Sequence, residues 1–237
     1  MAPKASITPT PRSARAAGAA GTPGAAEPTG ARGTAGAARP EGRGKVAGLL
    51  LAAGGGRRLG GRPKALLEHR GRPLVEHAAR VLREGGCAPV HIVLGAAAAA
   101  VRERAELSAY TVSENPDWAQ GMGSSLRVGL AALAGSGADA VVVALVDQPG
   151  IGAAAVARVV AAYEGSASLV AAAYGGRRGH PVLFGADRWG RIAASAEGDR
   201  GARAYLREHT AAITFVECAD VAEAYDIDTP EDLRRLE

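Results

Sequence analysis

Val46-Ala-Gly-Leu-Leu-Leu-Ala-Ala-Gly-Gly-Gly-Arg-Arg-Leu-Gly-Gly-Arg-Pro-Lys64 is the stretch on which the fold turns. Residues 46–51 form an apolar run of the kind that makes a strand buried on both faces. Gly54, Gly55 and Gly56 then let the chain turn sharply and bring backbone N–H groups against a ligand. Arg57, Arg58, Arg62 and Lys64 follow at once, so a strand, a glycine loop and a cluster of cations stand in series. That series suits a polyphosphate. It is not the Walker loop, since no Gly-Lys-Ser/Thr occurs, nor the dinucleotide fingerprint, since Leu59 stands where the third glycine would. Taken alone, the segment also fits a glycine-rich surface loop with solvated arginines.

Outward from this stretch, apolar runs alternate with amphipathic ones. Residues 90–94 and 140–146 lack polar alternation and read as buried parallel strands, and 169–173 as another strand. Helical patterns occupy 73–83, 124–133 and 153–163, with shorter elements around 201–208, 213–216 and 231–236. The run Ala96 to Ala100 reads as a plain helix start. Strand and helix in this rhythm predict an α/β sandwich with a mostly parallel sheet. In such sheets ligands bind beyond the carboxyl ends of the strands, where the glycine loop and Asp147 both fall.

Composition sets the outer limits. The first 44 residues hold no aromatic residue, Leu or Val, too little apolar surface to offset the entropy of ordering, so 1–44 reads as a disordered tail and 45–237 as one domain. The chain has 28 Lys/Arg and 24 Asp/Glu; the tail takes six and two of these, leaving 22 of each sign. The basic character therefore belongs to the tail, and nothing in the domain calls for a nucleic acid. No apolar run reaches the length of a membrane span. The tail is Arg-rich and free of acids before Glu27, a trait shared with some transit peptides. Cys87 and Cys218 lie far apart, with neither a disulfide framework nor a zinc spacing, as expected of buried thiols in the cytoplasm.

Four further segments carry polar chemistry. Asp147 ends a long apolar strand, a rigid position suited to Mg2+ as well as to a simple turn before Pro149. In Asp226-Ile-Asp228-Thr-Pro-Glu-Asp232, Thr229, Pro230 and Asp232 make a helix cap. Asp226 and Asp228 alternate, so an extended backbone points both carboxylates to one side, where with Asp147 they could clamp a cation. The stretch from Glu114 to Leu130 is a loop feeding a helix, with Ser124 and Ser125 at the helix start and Arg127 one turn in. Serine capping is the simpler reading of that pair, and packing the simpler reading of Trp118. The last segments are Arg178-Gly-His-Pro181 and Glu197-Gly-Asp-Arg-Gly-Ala-Arg203, in which His180 reads as structural.

Leu-Ala-Ala-Gly with Arg58, Gly60 and Lys64 resembles the signature of MobA-like nucleotidyltransferases. Asn-Pro-x-Trp-x-x-Gly-Met-x-Ser-Ser-Leu-Arg, Val-Asp-Gln-Pro, Arg-Gly-His-Pro-Val-Leu-Phe, Gly-Asp-Arg-Gly-Ala-Arg and Asp-Ile-Asp-Thr-Pro-Glu-Asp-Leu, in that order, are together similar to the molybdenum cofactor cytidylyltransferases. The resemblance covers 45–237 and implies a Rossmann-like three-layer sandwich with a mixed, mostly parallel sheet. It implies transfer of CMP from CTP to the phosphate of molybdopterin carrying molybdenum, with release of pyrophosphate. Leu51, Ala52, Ala53, Gly54, Gly55 and Gly56 would hold the nucleotide, and Arg58 and Lys64 its phosphates. Asp147 and Asp228 would bind Mg2+, Ser124 and Ser125 would lie near the base or ribose, and His180, Asp199 and Arg203 would line the acceptor pocket. Ala53, where guanylyl-transferring relatives usually have Gly, favours CTP over GTP. Guanylyl transfer from GTP to the same cofactor, sugar-phosphate or phospholactate acceptors, and a non-catalytic molybdopterin-handling role are the alternatives. A transient contact with the recipient molybdoenzyme or its chaperone would follow. Gly60 and Gly61 make the spacer to Lys64 one residue longer than the commonest form.

Overall fold

A computed structural model describes residues 44–236, and the tail expected over 1–44 lies, except for Gly44, outside them. β1 (Val46–Ala52) forms at the apolar run and is buried along its whole length. The short strands β2 (Glu68–His69) and β3 (Arg72–Pro73) follow. Next come α1 (Leu74–Glu84), β4 (Val90–Leu94), α2 (Ala98–Arg104), β5 (Thr111–Glu114), α3 (Met122–Leu133) and β6 (Ala140–Leu145). Then come α4 (Ala153–Ala161), β7 (Leu169–Tyr174), β8 (Arg177–Gly185), α5 (Trp189–Ser195), α6 (Arg203–Glu208) and β9 (Thr214–Glu217). A 3-10 helix, Pro230–Leu236, closes the described chain.

Seven strands make one sheet in the order β5-β4-β1-β6-β8-β7-β9. All neighbours run parallel except β8, which is antiparallel to both β6 and β7. The alternation of β1 builds the layers. Val46, Leu50 and Ala52 enter one core with Leu74, Val75 and Leu82 of α1 and Val156 of α4. Ala47, Leu49 and Leu51 enter the other with Leu126, Leu130 and Leu133 of α3 and Ile192 of α5. Helices thus cover both faces, giving the three-layer mixed sandwich. Gly129 sets the depth of α3, because a Cβ there would lie 2.4 Å from a methyl of Leu49.

β8 is the element the periodicity does not announce. Arg177, Arg178 and Gly179 open it without apolar alternation, and Pro181 cannot donate to a ladder, so the segment does not read as a central strand. The fold accommodates Pro181 where the β7–β8 register shifts between Ala171 and Ala173, an irregularity that leaves its missing N–H unneeded. Only Val182 and the residues after it pair with β6.

Three histidines give the fold a pH dependence. Burial lowers the pKa of His91, burial and then the neighbouring His69 lower that of His77, and burial pushes His180 down to about 4. The unfolded chain takes up protons near pH 6.5 that the folded chain refuses, so stability falls as pH drops. The contribution is complete above the unfolded value and is lost on the way down to about pH 4. Thermal melts are expected to show Tm roughly 5 °C lower at about pH 5 than at about pH 7.5. A Tm that stays flat or rises over that interval contradicts this assignment.

Candidate active site

A cavity of about 530 Å³ opens beyond the carboxyl ends of β1 and β6, lined on one side by Gly54, Gly55 and Gly56. Gly56 lies at φ +60°, and a Cβ there would stand 1.9 Å from the carbonyl oxygen of Arg62. The N–H groups of Leu59 and Gly61 both donate to Gly56 O, at 2.8 and 3.1 Å, so the loop closes on itself. Gly60 and Gly61, both at positive φ, complete the turn. The longer spacer therefore loops out without moving Lys64 off the cavity wall.

Lys64 is the centre of the charged cluster. Its Nζ donates to Asp147 Oδ2 at 2.6 Å and to Asp228 Oδ1 at 2.5 Å. Arg58 Nη2 lies 3.0 Å from the other oxygen of Asp228. Burial opposes the charge on Lys64, but the two carboxylates outweigh it and hold its pKa above the ordinary value. Burial pushes the Asp147 carboxyl up; Lys64 draws it back, and Asp226 adds to the rise. Because both carboxylates reach one nitrogen, they share a single cation position.

Backbone bonds fix that convergence. Ile227 is fully buried, and its N–H donates to Asp147 O at 2.9 Å, which lays the 226–228 segment against the end of β6. Asp232 Oδ2 accepts from the N–H groups of Asp228 and Thr229, at 3.0 and 2.8 Å, and from the Thr229 hydroxyl at 3.0 Å. The helix cap expected from Thr229, Pro230 and Asp232 thus also holds the backbone of Asp228. Asp226 lines the same cavity, but its Oδ1 accepts from Gln148 Nε2 at 2.7 Å. A three-carboxylate clamp is not formed: among the described residues no group of three His, Cys, Asp or Glu could hold a metal. Two hard carboxylates at one cation position fit a Mg2+-type ion that keeps waters and takes its remaining oxygens from phosphates.

The serines divide. Ser125 lines the cavity, whereas Ser124 is buried behind it, accepting from Asn115 Nδ2 at 2.8 Å and donating to Gly121 O at 2.8 Å. Ala52 likewise faces the core, while Leu51 and Ala53 reach the cavity wall. Arg127 donates to Ala196 O and is not among the cavity residues. Asp199 and Arg203 are part of the cavity lining, and His180 lines an adjoining recess. Trp118 is the residue the sequence understates, for it lies against the glycine loop, its ring 3.1 Å from where a Cβ of Gly55 would be. Gly95, whose Cβ would fall 2.6 Å from Trp118 Cβ, makes room for it. Gly55 and Gly95 lie far from Trp118 in the sequence, so no local pattern announces that packing.

Arg58 separates stability from binding. Its side chain is 71% exposed, so its pair with Asp228 contributes little to folding. Arg58→Ala is expected to leave Tm within about 1 °C and to raise the KM for the nucleotide about tenfold. An unchanged KM would free Arg58 of any role with phosphates.

Comparison with known proteins gives this geometry a family. Residues 48–213 match the model of the MobA-like NTP transferase domain, a span that ends before Asp226 and Asp228. Nicotine blue oxidoreductase of Paenarthrobacter nicotinovorans is 43% identical over 195 residues, covering 79% of this chain and 94% of the relative. The Mycobacterium sp. strain JC1 homologue of Mycobacterium tuberculosis Rv0371c superposes with a TM-score of 0.69 at 31% identity, over 81% of this chain and 94% of that one. The M. tuberculosis H37Rv protein, solved as a complex with manganese, gives a TM-score of 0.68 at 29% identity, over 81% and 97%. With most of its length matched and its glycine loop, cations and acids gathered at one sheet edge, the chain belongs to the MobA-like NTP transferase domain family.

Proposed function

We propose that this protein transfers CMP from CTP to the phosphate of molybdopterin carrying molybdenum, releasing pyrophosphate. The observation that carries the proposal is the meeting of Asp147, Asp228, Lys64 and Arg58 at the glycine-loop wall of one cavity. Attack of one phosphate on another brings two anions together and builds charge on the leaving pyrophosphate. Such a reaction needs positioning and charge neutralisation more than a protein nucleophile. The loop of Gly54, Gly55 and Gly56 presents backbone N–H groups to the nucleotide, with Leu51, Ala53 and Ser125 beside it. Lys64 and Arg58 offset charge on the phosphates as it develops. Asp147 and Asp228 would hold Mg2+, which supplies a Lewis acid for the phosphate oxygens. Asp199 and Arg203, from the segment at and just before α6, would face the acceptor. The choice of CTP and of the molybdopterin acceptor rests on the sequence resemblance, with Ala53 as its marker in this loop.

The decisive experiment follows pyrophosphate with Mg2+ and molybdenum-loaded molybdopterin, giving CTP, GTP, ATP or UTP in turn. Release with CTP and little with GTP is expected. Equal or faster release with GTP replaces the cytidylyl reading with a guanylyl one, and release only with another phosphorylated acceptor replaces the molybdopterin.

A second reading is favoured by one observation, the 43% identical relative that bears an oxidoreductase name. On that reading the cavity would take nicotine blue, the compound in the relative's name, for a redox step. Bleaching of nicotine blue by this protein with NADH or NADPH, without pyrophosphate release from any triphosphate, would establish it in place of the transferase.

A further inference from the structure

Both oxygens of Asp228 already face a cation: Oδ1 accepts from Lys64 Nζ at 2.5 Å, and Oδ2 lies 3.0 Å from Arg58 Nη2. Asp147 Oδ2 accepts from the same Nζ at 2.6 Å. A divalent ion that reaches Asp228 meets one of these cations at either oxygen, and one that spans Asp147 and Asp228 meets Nζ. Cations drawn to one pair of oxygens repel each other, so the ion and Nζ exclude one another there.

The parts of the cluster differ in their freedom to move. Asp147 and Asp228 are fixed, by the bond from Ile227 N–H to Asp147 O and by the Asp232 carboxylate that holds the backbone of Asp228 and Thr229. The backbone of Lys64 is held as well: its carbonyl accepts from Leu67 N–H at 3.1 Å, and Ala65 beside it is buried. What remains is the flexible four-carbon stem of Lys64, which can carry Nζ aside without moving the main chain.

The cavity wall supplies a reason for Nζ to move. Arg57, Arg58 and Lys64 line it together with the glycine loop. Arg57 is exposed, and among the described residues no hydrogen bond or ion pair engages it. An incoming polyphosphate therefore finds one cation that it can engage without breaking a pair. Phosphate oxygens seated there compete with the two carboxylates for Lys64.

We infer that Lys64 is an internal occupant of the metal position, and that nucleotide phosphates open that position by drawing Nζ away. The ion then enters with the nucleotide and binds weakly without it, so the two affinities are coupled through one side chain. The inference rests on the transferase reading for the triphosphate that draws the lysine off, while the competition between Lys64 and the ion does not depend on it.

The test titrates Mn2+ alone against the parent protein, Lys64→Met and Lys64→Gln, following the free ion by electron paramagnetic resonance. Lys64→Met is expected to bind Mn2+ at least about tenfold tighter than the parent, because the ion no longer displaces a cation. Lys64→Gln, which keeps a polar tip against the acids should the Met variant fold poorly, is expected to change in the same direction. A lysine that only supports the fold gives no such gain when removed. Adding Asp228→Asn to either variant is expected to erase the gain. Parent-like or weaker Mn2+ binding in both lysine variants, or a gain that survives Asp228→Asn, overturns the inference. Crystals of the parent soaked with CTP and a chelator read the displacement itself. Nζ on a phosphate oxygen and off Asp147 is expected, and Nζ still on both acids beside seated CTP overturns the inference. A parent that takes up no CTP sinks the transferase reading alone, and the Mn2+ comparison still decides whether Lys64 and the ion compete.

Discussion

Asp147→Asn slows pyrophosphate release at least about 10²-fold while leaving Tm within about 2 °C of the parent. The rate falls because the substitution removes a formal charge from the place where Asp147 and Asp228 meet Lys64. Stability holds because two effects oppose each other. The carboxyl of Asp147 is disfavoured by burial, and Asn relieves that, while Lys64 loses one partner but keeps Asp228. Steady-state kinetics beside a thermal melt separate the two. A rate within about fivefold of the parent would take Asp147 out of the chemistry, since losing one transition-state contact is normally worth more than that. A collapse of Tm would instead make it a structural residue.

Gly56→Ala is expected to act through the backbone. Gly56 has φ +60°, and the added methyl would lie 1.9 Å from Arg62 O, a main-chain atom that cannot swing aside. The turn between Gly56 and Gly61 must open, breaking the bonds that Leu59 and Gly61 donate to Gly56 O. We expect a fall in Tm of about 5–10 °C and a loss of nucleotide affinity of about 10²-fold. Calorimetric titration with CTP and Mg2+ checks the second figure. Parent-like affinity would mean that the loop does not shape the phosphate site. Together the two substitutions distinguish a chemical lesion on a sound fold from a local unfolding that removes the same activity.

Much of the architecture was legible, because its signals are local. The apolar runs at β1, β4 and β6 mark strands buried on both faces, and the structure places β4 at Val90–Leu94 as the pattern predicts. The helices α1, α3 and α4 begin within two residues of their periodic segments. β8 was hidden because Pro181 and the leading arginines carry the signature of a loop, and the register shift opposite them appears only when β7 is alongside. Likewise Asp147 and Asp228 could each be singled out from the sequence, but the bond from Ile227 to Asp147 O that brings them together joins distant segments. Nor does any spacing announce that Lys64 would bridge the two acids. Ser124 and Ser125 look equivalent in sequence; Asn115, bonded to both hydroxyls, lies behind them, and only Ser125 reaches the cavity.

At the centre of this account stands one shared cation position between Asp147 and Asp228. Crystals grown with CTP and Mn2+ test it directly through anomalous scattering. A manganese peak about 2.0–2.6 Å from a carboxylate oxygen of each residue, with Lys64 turned away from the ion, is the predicted result. A peak bound elsewhere, or CTP seated with its phosphates away from both acids, would contradict it.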